Sequence, residues 1–149
     1  MAEDHPGFRE MFCEQLRLAP DLEVVGDAQD GWEAIAAVGR LKPDVLTLDL
    51  DLPGMNGLDV LRVIRWCSPD TKVIILSGHD EEPTIQEALK QGARGYIVKG
   101  ERASVEQAIR VVQNGEVWAT RRVLATVIEE LSRLASLTFP AAGAERALA

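Results

Sequence analysis

Residues 45–60 read VLTLDLDLPGMNGLDV. An apolar run ends in two aspartates at alternate positions, Asp49 and Asp51, and a turn through Pro53 and Gly54 follows. A short run of Val and Leu without strict alternation is typical of a strand that is buried on both faces of a parallel sheet. An ionised carboxylate is costly to bury unless it is paired or binds a metal. The stretch therefore predicts a buried strand with a functional acid at its carboxyl end.

Three other runs have the same strand-like character, and helical patterns separate them. The runs are LEVVGDA at 22–28, TKVIILS at 71–77 and GYIV at 95–98. Alternating strands and helices indicate the α/β class with a doubly wound parallel sheet. Apolar spacing, capping residues and terminal Pro or Gly predict the helices, which cover about Pro6–Leu18, 30–41, Gly57–Trp66, Pro83–Gly92, Ser104–Gln113 and a segment after Thr120.

The composition limits the class of protein. The chain has 149 residues, of which 46% are hydrophobic, and this suits one globular domain with its own core. No apolar run reaches the length of a membrane span, and the opening MAEDHPGF does not resemble a signal peptide. The two cysteines form no disulfide or metal pattern, so we expect a cytoplasmic protein with reduced thiols. The net charge of −8 argues against nucleic-acid binding by this segment alone.

Polar side chains end three of the predicted strands. In parallel sheets, ligands bind beyond the carboxyl ends of the strands, and Asp49, Ser77 and Lys99 stand at such ends. Glu3 and Asp4 precede the first helix. Carboxylates grouped at one edge repel one another, and hard oxygen ligands without clustered His or Cys favour Mg²⁺. A carboxylate beside a metal, a hydroxyl and an ammonium is suited to forming an acyl phosphate.

Four motifs occur in a familiar order: AEDHPGFRE, LDLDLPGMNGLDVL, VIILSGHD and GARGYIVK. Together they resemble the receiver domain of two-component response regulators, closest to the NarL/FixJ (LuxR-type) group, over about Ala2–Gly115. The resemblance implies a flavodoxin-like (CheY-like) receiver fold. It also implies a receiver domain at 1–115, an additional amphipathic helix at 116–136, and a linker at 137–149 toward an output domain that this chain does not contain.

The resemblance assigns a role to each site residue. Asp49 matches the phosphoacceptor, which lies four residues before Pro53 in this pattern. Ser77 matches the hydroxyl that bonds the phosphoryl group, and Lys99 matches the lysine beside it. Tyr96 matches an aromatic switch that moves inward when Ser77 is drawn toward phosphate.

The same resemblance implies a metal site. Glu3 and Asp4 match the acidic pair that binds Mg²⁺ together with Asp49. Asp51 matches the position whose backbone carbonyl completes the site, so its side chain is not required and is expected to face solvent. In the stretch 45–60, the resemblance therefore implies that Asp49 forms the covalent bond and that Asp51 contributes only its backbone.

The implied function is signalling and not enzymatic turnover. A sensor histidine kinase would pass a phosphoryl group to Asp49 in a Mg²⁺-dependent reaction, and the chain would assist its own phosphorylation and dephosphorylation. Phosphorylation would switch homodimer formation or an attached DNA-binding output domain. The protein would contact DNA only through that domain, and it would have no membrane partner.

The chain departs from the family pattern at its beginning. The family places a hydrophobic strand before the acidic pair, in the centre of the sheet, whereas only Met1 and Ala2 precede Glu3 here. Without that strand, two inner edges lose backbone hydrogen bonds. We expect either that Met1 is an internal residue of that strand, or that the sheet closes up or borrows a strand. In the second case Mg²⁺ would be weakly bound.

Two other functions compete with this interpretation. Asp49 and Asp51 also form the D-x-D pattern of haloacid-dehalogenase-like phosphatases, in which the first Asp is the nucleophile and the second the general acid. Those enzymes usually place metal-binding acids after the lysine, where this chain has the separated Glu101 and Glu106. The other possibility is a pseudo-receiver that keeps the fold and acts without phosphorylation. Only the shortened beginning supports it.

Overall fold

The computed structural model describes residues 1–100 and 105–138. Within these ranges, three parallel strands form one sheet in the order β1-β2-β3, where β1 is Val45–Leu48, β2 is Lys72–Ser77 and β3 is Gly95–Val98. The helices of the described ranges are α1 Pro6–Arg17, α2 Gly31–Leu41, α3 Gly57–Cys67, α4 Glu82–Lys90, α5 Val105–Gln113 and α6 Arg121–Thr138.

Helices cover both faces of the sheet, as the α/β prediction requires. Successive side chains of a strand point to opposite faces, so each strand contributes to two cores. Leu48 and Ile75 pack on the face that carries α2, α3 and α4. Ile74 and Leu76 pack on the other face, against α1 and α5. The doubly wound architecture predicted from the sequence is therefore confirmed.

The turn after β1 depends on a glycine. The N–H of Gly57 donates to the carbonyl of Leu50 at 3.0 Å, and the side chain of Asn56 caps α3 through the N–H of Leu58 at 2.8 Å. A Cβ at Gly57 would lie 2.4 Å from the Cα of Leu50 and 2.7 Å from the carbonyl oxygen of Asp49. Only a residue without a Cβ lets α3 start this close to the end of β1.

The predicted strand LEVVGDA is wrong, apart from its last residue. Residues 22–27 form no ladder, and Ala28 makes an isolated parallel bridge with Ala2. An extended segment becomes a strand only when a neighbour satisfies its backbone groups. Here the neighbour is the short segment Met1–Glu3, which reaches only the carboxyl end of 22–28.

The segment Met1–Glu3 lies between the end of β1 and Ala28, and it is hydrogen-bonded to both. The N–H of Ala2 donates to the carbonyl of Thr47 at 2.8 Å, and the N–H of Asp49 donates to the carbonyl of Ala2 at 3.0 Å. On the other side, the N–H of Glu3 donates to the carbonyl of Ala28 at 2.9 Å. Ala2 thus makes one bridge on each side, to Ala28 and to Leu48, directly beside the predicted site.

The chain after α5 returns to the sheet and then to α4. Trp118 bridges Gly95 in parallel at the outer edge of β3. Helix α6 then packs on α4, and Lys90 donates to Glu130 at 2.9 Å across this contact. The helix extends two residues beyond its expected end, to Thr138. Glu101, the predicted helix start at Ser104 and the tail from 139 onward lie outside the described residues.

None of the helices in the described ranges is long and apolar enough to cross a membrane.

Candidate functional site

Asp49 lies at the carboxyl end of β1 and is nearly inaccessible to solvent, with 3% of its surface exposed. One carboxylate oxygen, Oδ1, accepts the N–H of Asp51 at 3.0 Å. The other, Oδ2, accepts Nζ of Lys99 at 2.8 Å. Its own N–H is bonded to Ala2, so the backbone fixes the position of the carboxylate.

Lys99 links Asp49 to Glu3. Its Nζ donates to Oε2 of Glu3 at 2.7 Å and lies 4.6 Å from the centre of the Phe8 ring. Burial by itself would lower the pKa of Lys99, but the hydrogen bonds to Asp49 and Glu3 outweigh it and raise that pKa. The ammonium therefore stays charged, and it is the counterion for two buried carboxylates.

Glu3 is the more deeply buried of the two acids before α1. Burial raises the pKa of the Glu3 carboxyl, and the nearby charge of Asp49 adds to this, while the hydrogen bond from Lys99 acts in the opposite direction. Oε1 of Glu3 accepts the N–H of His5 at 3.2 Å. Two carboxylates thus share one ammonium, and the site carries an excess of negative charge.

Asp4 completes an acidic cluster at this edge. Carboxylate oxygens of Glu3, Asp4 and Asp49 all lie within 4.8 Å of one another, and Asp4 is exposed to solvent. Hard oxygen donors that face water on one side suit Mg²⁺, which keeps several of its waters. The residues present therefore fit the predicted ion, with Glu3, Asp4 and Asp49 as the side chains that would hold it.

Ser77 and Tyr96 meet through the backbone of His79. Ser77 is fully buried at the end of β2, and its Oγ accepts the N–H of His79 at 3.2 Å. The hydroxyl of Tyr96 donates to the carbonyl of His79 at 2.7 Å. Tyr96 is buried, with 6% exposure, and burial raises its pKa. The tyrosine is thus turned inward and tied to the loop that follows Ser77.

Asp51 is exposed, as the sequence predicts, but its side chain has a partner that the sequence did not indicate. Oδ1 of Asp51 lies 2.9 Å from Nε2 of His79, and Nδ1 of that ring lies 3.6 Å from Glu81. The hydrogen bond that the Asp51 carboxylate accepts from the ring raises the pKa of His79. The sequence offers no signal for this contact, because nothing in it pairs residues 28 positions apart.

Arg9 and Phe8 are further residues that the sequence did not single out as part of the site. Nη1 of Arg9 donates to the carbonyl of Glu3 at 2.8 Å, and its Nε lies 3.0 Å from Asp27. Phe8 lies under the Lys99 ammonium. Phe8, Phe12 and Leu16 recur at helical spacing in the sequence, and this spacing is the available signal that Phe8 faces inward. Together these residues tie the acidic segment to the sheet.

The match between this chain and a family profile identifies the arrangement. The profile described as the response regulator receiver domain matches residues 1–110. This chain belongs to the response regulator receiver domain family. The match covers the sheet, the acidic cluster and the three residues Asp49, Ser77 and Lys99. The resemblance read from the four motifs is therefore confirmed.

Curated relatives of this receiver domain are regulatory proteins. The transcriptional regulatory protein DegU of Brevibacillus brevis is 37% identical over 89% of this chain and 56% of the relative. The oxygen regulatory protein NreC of Staphylococcus haemolyticus is 38% identical, over 87% of this chain and 61% of the relative. The chain thus spans about half to three-fifths of the length of these relatives.

Solved structures agree with the assignment to the LuxR-type group. A LuxR-family two-component response regulator from Aurantimonas sp. SI85-9A1 superposes with a TM-score of 0.78, at 29% identity, over 88% of this chain and 94% of that one. The receiver domain of the putative response regulator NarL from Mycobacterium tuberculosis gives a TM-score of 0.72 at 35% identity, over 77% and 94%. The CheY-like fold predicted from the sequence is confirmed.

Proposed function

We propose that Asp49 accepts a phosphoryl group from a sensor histidine kinase, and that this modification is the signal which the receiver domain transmits. The observation that carries the proposal is the position of the Asp49 carboxylate, at the end of β1, with Nζ of Lys99 at 2.8 Å and the carboxylates of Glu3 and Asp4 beside it. Buried acids with one shared ammonium and a solvent-facing side form a site for an anionic group and a cation together.

The chemistry follows from these positions. A lone pair of an Asp49 oxygen attacks phosphorus, the bond from phosphorus to the kinase histidine nitrogen breaks, and its electron pair returns to the imidazole. The Lys99 ammonium stabilises negative charge on the transferred oxygens, and the Ser77 hydroxyl is placed to donate to one of them. Mg²⁺, when bound by Glu3, Asp4, Asp49 and the carbonyl of Asp51, supplies further positive charge to that phosphoryl group.

The readout of phosphorylation would use Ser77 and Tyr96. A phosphoryl oxygen that draws Ser77 forward breaks its contact with the N–H of His79. The carbonyl of the same residue accepts from Tyr96, so the aromatic ring senses the movement of the loop. Two arrangements of this loop form the bistable element that a signalling domain needs.

The proposed partners are inferred from the relatives. Because these include a transcriptional regulatory protein and the chain covers only part of their length, we assign DNA binding to an output domain and not to this receiver domain. Phosphorylation would change the homodimer equilibrium of the receiver and thereby the activity of that domain, in the cytoplasm. We place the domain boundaries at 1–115, 116–136 and 137–149, with α6 as the connection.

Intact-mass spectrometry tests the proposal directly. The chain is incubated with Mg²⁺ and acetyl phosphate, alongside Asp49→Asn and the matched control Asp44→Asn, whose exposed aspartate stands at the opposite end of β1. One added phosphoryl group is expected in the wild type and in the control. It should be absent in Asp49→Asn and after chelation of the metal. An adduct that survives in Asp49→Asn would contradict the acceptor assignment.

The phosphatase alternative needs a different result. A general acid at position 51 would have to reach the leaving group, whereas the Asp51 side chain is exposed and bonded to His79. If the chain hydrolysed a phosphate ester over many turnovers, and if the Asp51→Asn variant lost this activity, the phosphatase alternative would be supported. A complete lack of adduct in every variant would favour the pseudo-receiver.

A further inference from the structure

The ammonium of Lys99 has three N–H donors, and carboxylates account for two of its contacts. Nζ lies 2.7 Å from Oε2 of Glu3 and 2.8 Å from Oδ2 of Asp49. The same nitrogen lies over the ring of Phe8, 4.6 Å from the ring centre. The face of an aromatic ring carries negative charge and attracts a cation. The position of the ammonium is therefore set by three segments, which are the residues before α1, the end of β1, and α1 itself.

The backbone of Lys99 does not by itself fix the position of the charge. Its N–H donates to the carbonyl of Ser77 at 2.7 Å, and this bond holds only the base of the side chain. Lysine carries its ammonium on a flexible stem of four carbons. The side chain is 23% exposed, so water competes for the ammonium. Contacts at the far end of the side chain are needed to keep Nζ at one place.

The ring of Phe8 is itself held in a fixed position. It contacts the ring of Phe12 one helical turn later, with the ring centres 4.5 Å apart and the planes at 57°. Both rings pack against the core on the α1/α5 face of the sheet. The N–H of Phe8 donates to Nδ1 of His5, and the N–H of His5 donates to Oε1 of Glu3, each at 3.2 Å. The ring and the Glu3 carboxylate thus belong to one hydrogen-bonded unit.

Phosphoryl transfer would change one contact of the ammonium and leave the ring contact as it is. The partner at 2.8 Å is an oxygen of Asp49, the group that would receive the phosphoryl group. As negative charge develops on the phosphoryl oxygens, an N–H of Lys99 would turn from Asp49 to one of them. The Phe8 ring takes no part in the reaction. A partner that stays unchanged keeps the ammonium close to its final position and reduces the reorganisation that the step requires.

We propose that Phe8 is a positioning residue for phosphoryl transfer to Asp49, because the attraction between its ring and the Lys99 ammonium keeps that charge beside the reacting oxygens. The inference rests on the proposed function of Asp49 and adds a residue to it. It assigns an electrostatic role to the ring in addition to its place in the core. The rate of transfer should therefore depend on the charge of the ring face even when the shape of the ring is unchanged.

A series of fluorinated rings separates electrostatics from shape. Fluorine withdraws charge from the ring face and changes the size of the ring little, so each added fluorine weakens the attraction for a cation. Phe8 is replaced by phenylalanines that carry one, two or three ring fluorines. The matched control is the same series at Phe12, whose ring contacts Phe8 but has no cation over it among residues 1–100 and 105–138.

Each chain is phosphorylated with acetyl phosphate and Mg²⁺, and intact-mass spectrometry follows the rate. In this reaction an Asp49 oxygen bonds to phosphorus, the bond from phosphorus to the acetate oxygen breaks, and acetate leaves with its electron pair. The melting temperature of each chain is measured alongside. Phe8→Tyr, which keeps the ring, and Phe8→Leu, which removes it, complete the set.

The rate should fall stepwise along the Phe8 series, by roughly threefold to tenfold for the ring with three fluorines. The melting temperature and the rates of the Phe12 series should not change. Phe8→Tyr should keep most of the rate, and Phe8→Leu should lose at least as much as the ring with three fluorines. Equal rates along the Phe8 series would overturn the proposal, since shape would then suffice. A rate that rises along it, or an equal fall in both series, would overturn it too.

A measurement without phosphorylation tests the contact itself. Protons over the face of a ring are shifted upfield in NMR spectra, so the Cε protons of Lys99 should show such a shift, and Phe8→Leu should abolish it. Absence of the shift would overturn the proposal whatever the transfer rates are. If the shift is present and Asp49 accepts no phosphoryl group, the proposed function fails and the positioning role fails with it. If Asp49 is phosphorylated at one rate in every chain, only the positioning role fails.

Discussion

The two outer edges of the sheet are closed in the same way but at opposite ends. At β3, Trp118 makes a single parallel bridge near the amino end of the strand, where the N–H of Tyr96 donates to its carbonyl at 3.0 Å. At β1, Ala2 makes a single bridge at the carboxyl end, next to Asp49. One bridge therefore connects the fold to α6, and the other assembles the acidic site.

This difference shows that a single β-bridge on each side is enough to position the acidic segment. One bridge per side holds Met1–Glu3, yet Glu3 is buried and bonded to Lys99 at 2.7 Å. The backbone of this segment is therefore fixed at the position of the acids. Each of the following substitutions is expected to affect the β1 edge differently from the β3 edge. They are given in order of decreasing expected effect.

The largest contrast should come from adding one methyl group at a glycine of each edge. Gly57→Ala places a Cβ 2.4 Å from the Cα of Leu50 beside β1, so backbone must move, and we expect a loss of roughly 2–4 kcal/mol of unfolding free energy. Gly95→Ala at β3 places its Cβ 3.2 Å from the Cβ of Trp118, and about 1 kcal/mol or less should be lost. Urea denaturation measures both.

A reference for these two variants is Gly39→Ala on α2. A Cβ there has no atom within 4 Å, and the helical position should gain about 0.5–1 kcal/mol from the alanine. Equal losses in Gly57→Ala and Gly95→Ala would show that the close approach of α3 to β1 is not a special constraint.

Removing the shared ammonium should affect the β1 edge next most strongly. Lys99→Met leaves Glu3 and Asp49 buried side by side without a counterion, and roughly 1–3 kcal/mol of unfolding free energy should be lost in chelator. Mg²⁺ should restore more stability to this variant than to the wild type. Denaturation with and without Mg²⁺ checks this, and a loss that Mg²⁺ leaves unchanged would argue against the cation site.

The pH dependence should identify Glu3. Because the folded-state pKa of Glu3 is raised above its ordinary value of 4.5, the folded chain binds a proton more tightly than the unfolded chain. In chelator, stability should therefore fall as the pH rises from about 4.5 through the raised pKa. Glu3→Gln should remove this part of the slope. A wild-type curve that rises over the same window would contradict the assignment.

The smallest effect should come from the bridge at the mouth of the site. Asp51 raises the pKa of His79 above 6.5, so the bridge contributes stability below pH 6.5 and loses it as the pH rises through the raised value. Titration by NMR should show the raised pKa of His79, and Asp51→Asn should lower it. An unchanged His79 titration in the variant would exclude the contact in solution.

The sequence indicated which residues of the candidate site would lie together, because those residues follow strand ends. Asp49, Ser77 and Lys99 each follow a run of Val, Ile or Leu. Parallel strands bring such carboxyl ends to the same edge of the sheet, independently of the conformation of the loops. The contact between Asp51 and His79 was not predictable, since it depends on how two loops fold toward each other. The strand at 22–28 was predicted and is absent, because its residues favour extension but the pairing depends on a neighbour.

By itself, then, the sequence determined the α/β class, three of the buried strands and the position of Asp49, the acid to which we assign the chemistry. Those features arise from local apolar patterns and from the cost of burying a charge without a partner. Only the tertiary structure decided that Lys99 is the counterion of both Glu3 and Asp49, and that Tyr96 is bonded to the loop after Ser77. These features depend on distances between segments far apart in the chain, and no local pattern encodes them.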